Sequence, residues 1–333
     1  MMLDNKLAIA SVSLGQHAKH TLPQKITAAV DAGFQGLEIT CLDLETYADS
    51  QGLSMQDTAR IIGALMRENK LHVLSFASFQ NFEGNPSPIE GRLQKARDWL
   101  QLAHLLGAEH LQIPSIYQRE FIDDHQLMVA ELRQLAELAA TFEPVIKVAY
   151  ENLAWAKRCS LWQEAVAIVQ EVDRDNFGLC LDTFHIALVL WADAYSSDGR
   201  QVDGDEKLRA SMQEFVQRCP KDKLFYVQLS DGEPLDPPYS ESHPWYDPTL
   251  EVGHVWSNQA RPFPLETEYG AYMPVEEISR AFILDIAFTG WVSMETFDRR
   301  MEQEANGPVQ NARRGKASWE KLRARMLQSC PTP

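Results

Sequence analysis

Short apolar runs alternate with amphipathic segments along nearly the whole chain of 333 residues. The apolar runs that predict strands are KLAIASVS (6–13), GLEIT (36–40), LHVLSFAS (71–78), HLQIPS (110–115), VIKVAYE (145–151), FGLCLD (177–182), LFYVQ (224–228) and WVSME (291–295). Strands separated by helices imply right-handed crossovers and a parallel sheet. Eight such strands close a barrel, whereas a doubly wound sheet usually has a glycine-rich loop after its first strand, and Gly15 alone is not one. The sequence therefore predicts an α/β fold, a (β/α)8 TIM barrel forming a single domain over 1–333.

Two regions interrupt this alternation. Residues 196–205 form a polar insertion after the sixth strand, and residues 230–274 form a long segment, rich in proline and aromatic residues, after the seventh. Long loops in a compact domain are usually functional. We therefore expect a lid-like loop after strand 7 at the mouth of the barrel, with Trp245, Tyr246 and Trp256 among the aromatic residues that exclude water there.

The formal net charge of −16 argues against nucleic acid and anionic membranes as partners, because both need a basic surface. No apolar run is long enough for a transmembrane helix, and the N-terminus reads as a first strand rather than a signal peptide. The five cysteines form no CxxC pair, which is typical of reduced cytosolic thiols. The expected protein is cytoplasmic and acts on a small molecule, and the sequence leaves open whether it is a homo-oligomer.

Four polar side chains end successive apolar strands, and they are Glu151, Asp182, Gln228 and Glu295. A buried carboxylate is costly without a counter-charge, so this pattern predicts that the strand ends converge on a cation. The alternative for any one of them is a helix cap or a surface charge. An oxygen-only ligand set suits Mg²⁺ or Mn²⁺. We therefore predict one divalent metal ion.

Further candidate site residues lie close to these strand ends. His185 follows Asp182 by three residues, and its neutral imidazole is a candidate general base; packing is the alternative. Glu38 is a further acid at the barrel mouth and a candidate substrate contact, although capping or support of a neighbouring site residue is at least as good an interpretation. Asn152 is expected to orient a neighbour or a substrate hydroxyl. Arg261 is the one Arg or Lys in residues 230–273, and it is a candidate for bidentate binding of a substrate carboxylate. Its alternative is a solvated side chain on a mobile loop.

With these residues in view, the chain resembles the xylose-isomerase-like (β/α)8 superfamily, and within it the fungal-type 3-dehydroshikimate dehydratases. The resemblance covers nearly the whole chain. It is carried by stretches that include FASFQNFEG (76–84), YENLAW (150–155), GLCLDTFHIALVLWAD (178–193), FYVQLSDGE (225–233) and GWVSMETF (290–297). It implies one divalent metal held by Glu151, Asp182, Gln228 and Glu295. Gln at the third position is informative, because the epimerases of the superfamily usually carry His there.

Gln80 departs from the bacterial dehydratases, which commonly have in that segment an Arg that helps to hold the substrate. The position still suggests a substrate contact. The resemblance implies a metal-dependent lyase that dehydrates 3-dehydroshikimate, or a related cyclic hydroxy-ketone, to protocatechuate through a metal-stabilised enolate, with His185 as the base. A sugar isomerase or epimerase that uses the same enolate is the alternative, with Glu151 and Glu295 as the paired acid/base groups.

Two other classes are less compatible with the sequence. Endonuclease-IV-type repair enzymes share this fold, but they use a three-metal, His-rich site and bind DNA, which the acidic composition disfavours. A catalytically inactive binding protein is disfavoured because the set of four ligands is complete.

Overall fold

The computed structural model describes residues 3–328. The two ends of the predicted domain, 1–2 and 329–333, lie outside the described residues, and Cys330 lies there with them. Strands β1 to β7 and β9 form one closed parallel barrel, with β9 hydrogen-bonded to both β7 and β1. The predicted (β/α)8 barrel is confirmed. A small antiparallel ladder, β8 with β10, stands outside it.

The strands have the following bounds: β1 Leu7–Ala10, β2 Gly36–Thr40, β3 His72–Ala77, β4 His110–Pro114, β5 Lys147–Glu151, β6 Phe177–Asp182, β7 Leu224–Leu229, β8 Ala260–Arg261, β9 Trp291–Met294 and β10 Phe297–Asp298. The α-helices are α1 Leu22–Asp31, α2 Cys41–Gln51, α3 Met55–Glu68, α4 Ile89–Leu106, α5 His125–Ala139, α6 Trp162–Val172, α7 Thr183–Leu190, α8 Gly204–Arg218, α9 Val252–Gln259, α10 Val275–Ser279 and α11 Pro308–Gln328. Short 3₁₀ segments cover Ser11–Leu14, Lys221–Lys223, Thr267–Tyr269 and Arg299–Glu302, and a π-helical stretch covers Arg280–Asp285.

Local chemistry explains several of these boundaries. Helix α3 begins after Ser54, whose Oγ accepts a hydrogen bond from the Asp57 backbone N–H at 3.1 Å. Helix α4 ends at Gly107, which adopts φ +78°, a conformation that favours glycine. The first strand is shorter than predicted, because the chain turns into a 3₁₀ helix at Ser11.

The barrel separates two apolar layers. A small interior cluster receives one residue from each of six strands, and its members are Ala8, Leu74, Ala149, Cys180, Tyr226 and Trp291. A much larger cluster lies between the outside of the strands and the helices. Successive strand residues face opposite sides, so every second position of a strand points into the barrel. Gly36 leaves room for this interior packing, since a Cβ there would lie 3.0 Å from the Trp291 ring.

The segment 230–274, predicted as a long lid-like loop, contains regular secondary structure. It contains α9 and β8, and Trp256 and Phe263 within it are fully buried. Asp231 organises it: the carboxylate accepts backbone N–H bonds from Gly232, Leu265, Tyr272 and Met273 at 2.8–3.1 Å. Movement of this segment as a lid stays a prediction.

No helix within residues 3–328 combines the length and the hydropathy that crossing a lipid bilayer requires.

Candidate active site

The four predicted ligands lie at the carboxyl end of the barrel. Glu151 and Asp182 are the last residues of β5 and β6, Gln228 is the last but one of β7, and Glu295 directly follows β9. Each stands two or four positions beyond an interior apolar residue of its strand, namely Ala149, Cys180, Tyr226 and Trp291. Residues two apart on a strand share a face. The four side chains therefore continue the barrel interior as a polar layer above an apolar one.

Glu151, Asp182 and His185 form the tightest group. Each offers one possible ligand atom, and the three atoms lie within 4.8 Å of one another. All three residues are buried. The Glu151 Oε2 accepts a hydrogen bond from Gln112 Nε2 at 2.5 Å, while its Oε1 is buried without a hydrogen-bond partner. An unpartnered carboxylate oxygen inside a protein needs a cation or a proton.

Arg261 is the cation that faces this cluster. Its Nη2 donates to Asp182 Oδ2 and, at 3.0 Å, to Glu295 Oε2. The side chain is 2% exposed, which excludes the solvated alternative. Its Nε donates to Ser230 at 2.8 Å and its Nη1 to Ser257 at 3.2 Å. Arg261 thus ties α9 and β8 to the strand ends.

One guanidinium does not neutralise the carboxylates around it. Burial, followed by the Asp182 carboxylate, raises the pKa of Glu151 well above its usual range. Burial also raises the pKa of Glu295 well above its usual range, although Arg261 opposes that shift. Burial is the larger cause of both shifts, and the neighbouring carboxylates add to it. A divalent cation fits this set, because it would supply the missing positive charge and take oxygen donors such as Glu151 Oε1.

Gln228 is paired with Glu38 rather than with the other predicted ligands. Gln228 Nε2 lies 3.1 and 3.2 Å from the two oxygens of Glu38, and Gln228 Oε1 accepts from Cys180 Sγ at 3.1 Å. Glu38 also accepts from Ser75 Oγ at 2.8 Å, and neither Glu38 nor Gln228 is exposed to solvent. Glu38 therefore orients the Gln228 amide. The roles of Gln228 as a metal ligand and of Glu38 as a substrate contact stay predictions.

His185 is oriented by the chain that follows β5. Its Nδ1 accepts the Ala154 backbone N–H at 3.2 Å, and its Nε2 lies 3.5 Å from Glu151 Oε1. Burial lowers the pKa of His185 to about 3, so the ring is neutral near pH 7. In this arrangement the neutral ring carries its proton on Nε2. To accept a substrate proton at Nε2, His185 must adopt the other tautomer and give up the bond from Ala154.

A cavity of about 390 Å³ opens above the cluster. Glu151, His185, Arg261 and Glu295 line it, which brings four predicted site residues to one space. Gln80 lines it too, and its amide is held by Tyr117 OH at 2.6 Å and by Ser78 Oγ at 3.0 Å. A cavity of this size suits a small molecule.

Asn152 lies behind the cavity wall. It is fully buried, and its Nδ2 donates to the Ser160 carbonyl at 2.9 Å, while its Oδ1 is buried without a partner. This places Asn152 where it orients the chain that follows β5. Its predicted contact with a substrate hydroxyl stays untested by this geometry.

The aromatic wall of the cavity differs from the prediction. Trp245, Tyr246, Trp256 and Tyr269 do not line it, because Trp256 packs into the core and Trp245 packs against Arg299. The aromatic residues that do line the cavity are Trp99, Tyr117, Trp155 and Phe297. The segment 230–274 contributes polar groups instead, which include His254, Ser257 and Asn258.

Sequence reasoning missed three of the residues that define this space. Gln112 is a polar residue inside an apolar strand, and that signal could have identified it. His254 stacks on Trp155 with a centroid distance of 5.0 Å, and Lys95 reaches the cavity from α4. Neither His254 nor Lys95 carries a local signal, since each faces the cavity only through the packing of its helix.

The chain belongs to the xylose isomerase-like TIM barrel family, whose model matches residues 26–322. It is 39% identical to a 3-dehydroshikimate dehydratase of Neurospora crassa, over 96% of this chain and 94% of that protein. A 3-dehydroshikimate dehydratase of Pseudomonas aeruginosa is 32% identical over 68% of this chain, but the match spans only 30% of the longer bacterial protein. Both findings confirm the resemblance to dehydratases of this type.

A solved structure gives the same fold. It is a xylose isomerase-like TIM barrel/4-hydroxyphenylpyruvate dioxygenase fusion protein, 27% identical to this chain with a TM-score of 0.74. The similarity covers 98% of this chain and 44% of the fusion protein. This chain therefore corresponds to less than half of that molecule.

Proposed function

We propose that the protein is a divalent-metal-dependent dehydratase that converts 3-dehydroshikimate to protocatechuate. The observation that carries the proposal is a cluster of buried carboxylates, with one arginine as counter-charge, inside a chain 39% identical to a dehydratase of that name. Glu151, Asp182, Gln228 and Glu295 would hold the metal. Their oxygen donors favour Mg²⁺ or Mn²⁺.

The reaction is redox-neutral. A proton leaves the carbon next to the ketone, the bond from the neighbouring carbon to its hydroxyl breaks, and that hydroxyl leaves as water after gaining a proton. The remaining ring tautomerises to the aromatic product, which makes the reaction irreversible. A bound divalent cation supplies Lewis-acid stabilisation of the negative charge that develops on the ketone oxygen.

The residues of the chain would handle the proton and exclude water. His185 is the proposed base, because it lines the cavity as a neutral imidazole beside Glu151. Trp155 packs edge-on against His185, with ring centroids 4.8 Å apart, and limits the rotation of the imidazole. Trp99 and Phe297 provide apolar surface for a six-membered ring.

Arg261 contributes less to substrate binding than the sequence suggested. A guanidinium has five N–H groups, and four are engaged by Asp182, Glu295 and the two serines. At most one remains for a substrate. Bidentate binding of a substrate carboxylate would therefore require Arg261 to release one of its present partners, Asp182, Glu295, Ser230 or Ser257.

A ketose isomerase or epimerase remains the second candidate, because the same carboxylates can exchange a proton beside a ketone. In that reaction Glu151 and Glu295 would act as the acid/base pair. A cytoplasmic location is a prediction of the sequence alone.

The direct test is to strip the protein of metal, reload it with Mg²⁺ or Mn²⁺ and add 3-dehydroshikimate. Protocatechuate absorbance should appear only in the reloaded samples, and the Glu151→Gln variant should produce none. Absence of product with either metal, together with epimerisation of a ketose by the same samples, would establish the second candidate instead.

A further inference from the structure

The cavity contains two side chains with a permanent positive charge among the described residues that line it, Lys95 and Arg261. Arg261 is occupied by two carboxylates and two hydroxyls. Lys95 forms no ion pair within 4.0 Å in the part of the chain that the structure describes. Lys95 is therefore the cation at this cavity that is free to bind an anion.

Lys95 and Arg261 lie on opposite sides of the barrel. Arg261 bridges Asp182 and Glu295, at the ends of β6 and β9, and these two strands flank β7. Lys95 belongs to α4, the helix that follows β3, and β3 lies four strands from β7 in the closed ring of eight. A small cyclic substrate bound between Lys95 and Arg261 can present one edge to the carboxylate cluster and the other edge to Lys95.

Lys95 is a solvent-exposed residue of α4 whose side chain reaches the cavity beside aromatic residues. The Nζ lies 5.8 Å from the centre of the Phe79 ring, and Phe79 packs on Trp99 with ring centroids 5.2 Å apart. Lys95 also acts on Cys41 across the cavity mouth: burial raises the pKa of the Cys41 thiol to about 12, and the Lys95 charge opposes the shift. Glu45, the nearby acid, accepts from Cys41 Sγ at 3.4 Å instead of pairing with Lys95.

The loop after β3 supplies no positive charge to the cavity. Gln80 lines the cavity from the loop after β3, and its amide is taken by Tyr117 and Ser78. Without Lys95, the charged group that α2 to α4 present to this cavity would be Glu45 alone among the described lining residues, in a protein with a net charge of −16. An anionic substrate would then be repelled.

We propose that Lys95 binds the substrate carboxylate on the side of the cavity opposite the Glu151–Asp182–Glu295 cluster, and that it selects anionic cyclic ketones over neutral ketoses. This inference rests on the proposed function, since 3-dehydroshikimate carries a carboxylate. It also assigns that recognition to a helix residue rather than to Arg261.

Binding of two ligands that differ only in charge tests this role without turnover. Protocatechuate and its neutral amide, 3,4-dihydroxybenzamide, are titrated calorimetrically into the metal-loaded protein and into three variants. Lys95→Met removes the charge and keeps an unbranched stem, and Lys95→Arg keeps the charge. Lys207→Met removes the same charge from the exposed face of α8 and controls for net charge.

The wild-type protein, Lys95→Arg and Lys207→Met should bind the acid more tightly than the amide. Lys95→Met should lose about tenfold to a hundredfold in affinity for the acid, as expected for a charge-assisted hydrogen bond, and should bind the amide unchanged. An undiminished preference for the acid in Lys95→Met, or no preference in the wild-type protein, overturns the inference.

Turnover of 3-dehydroshikimate, measured on the same samples, separates this inference from the proposed function. If the acid binds in a Lys95-dependent way but 3-dehydroshikimate is not turned over, the proposed dehydratase activity is refuted and the anion site is supported. If 3-dehydroshikimate is turned over and Lys95→Met leaves the Michaelis constant unchanged, the dehydratase activity is supported and the anion site is refuted.

Discussion

Two buried arginines in this barrel meet very different charge environments. Arg92, on α4, pairs with Glu131 through two bonds of 2.5 and 2.8 Å, and two further N–H groups donate to the Phe82 and Ser87 carbonyls. Glu131 also accepts the Gly84 N–H at 2.7 Å. One cation and one carboxylate cancel there, and the loop after β3 is fixed in place.

Arg261, in contrast, faces three carboxylates. It bonds to Asp182 and Glu295, while Glu151 keeps an oxygen without a partner. The Arg92–Glu131 pair balances its own charges, whereas Arg261 with Glu151, Asp182 and Glu295, the Arg261 cluster, needs another cation or a proton. A buried ion pair therefore does not by itself indicate a metal site; a surplus of carboxylates over cations does.

The largest expected effect comes from removing a charge from the Arg261 cluster. Glu151→Gln should lower turnover at least about a thousandfold, because several kcal/mol of charge stabilisation by the metal are lost. The metal-free variant should be as stable as the wild-type protein or more so, since one of three crowded carboxylates is gone. Steady-state kinetics and urea unfolding measure the two effects. A large loss of stability would place Glu151 with the structural carboxylates.

Removing a charge from the Arg92 pair should instead lower the stability of the fold. Arg92→Met should cost about 3–5 kcal/mol in the free energy of unfolding, because it leaves the Glu131 carboxylate buried and unpaired. Arg60→Met, which breaks the exposed pair with Asp57, is the matched control and should cost about 0.5 kcal/mol or less. Urea denaturation at neutral pH measures both. Equal costs in the two variants would show that the Arg92 pair is no more important than a surface pair.

Substitution of His185 tests whether the imidazole beside the cluster takes part in the reaction. His185→Ala should reduce turnover about 10²–10⁴-fold, the usual range for a general base, with little change in metal content. Steady-state kinetics measures the turnover, and elemental analysis of the same preparation measures the metal content. Turnover close to that of the wild-type protein would limit His185 to packing against Trp155.

The smallest effect concerns Glu83, the carboxylate near the Arg92 pair that has an oxygen without a partner. Burial raises the pKa of Glu83 to about 7, from an ordinary value of 4.5. The folded state therefore holds this proton more tightly than the unfolded state, so stability falls as the pH rises from about 4.5 to about 7. Glu83→Gln should flatten this fall by about 1–3 kcal/mol. Denaturant unfolding at about pH 5 and pH 8 measures the change in the free energy of unfolding. An equal change in the wild-type protein and in Glu83→Gln would refute this prediction.

The sequence predicted the barrel and its strand ends because both leave local signals. Glu151 and Asp182 interrupt apolar runs at the position where a strand ends, and burial makes such an interruption costly. The charge balance could not be predicted, since Arg261 lies 79 positions from Asp182 and 34 from Glu295. Lys95 was missed for the same reason: only the packing of α4 brings it to the cavity.

The sequence pointed to the carboxylates that Arg261 faces, Glu151, Asp182 and Glu295, but it did not predict that Arg261 joins them or that Gln228 pairs with Glu38. Arg261 was expected at the substrate or in solvent, and the structure places its guanidinium between the carboxylates. Trp256 was expected in the cavity wall, but a large aromatic side chain is stabilised more by full burial in the core. A count of aromatic residues in a loop does not show which side of the loop they face.

Anomalous diffraction from crystals of the Mn²⁺-loaded protein shows directly whether a divalent cation completes the Arg261 cluster. We expect one peak per chain, within about 2.0–2.6 Å of carboxylate oxygens of Glu151, Asp182 and Glu295 and of the Gln228 amide oxygen. No peak among these side chains, in crystals whose soaking solution saturates the protein with Mn²⁺, would contradict it.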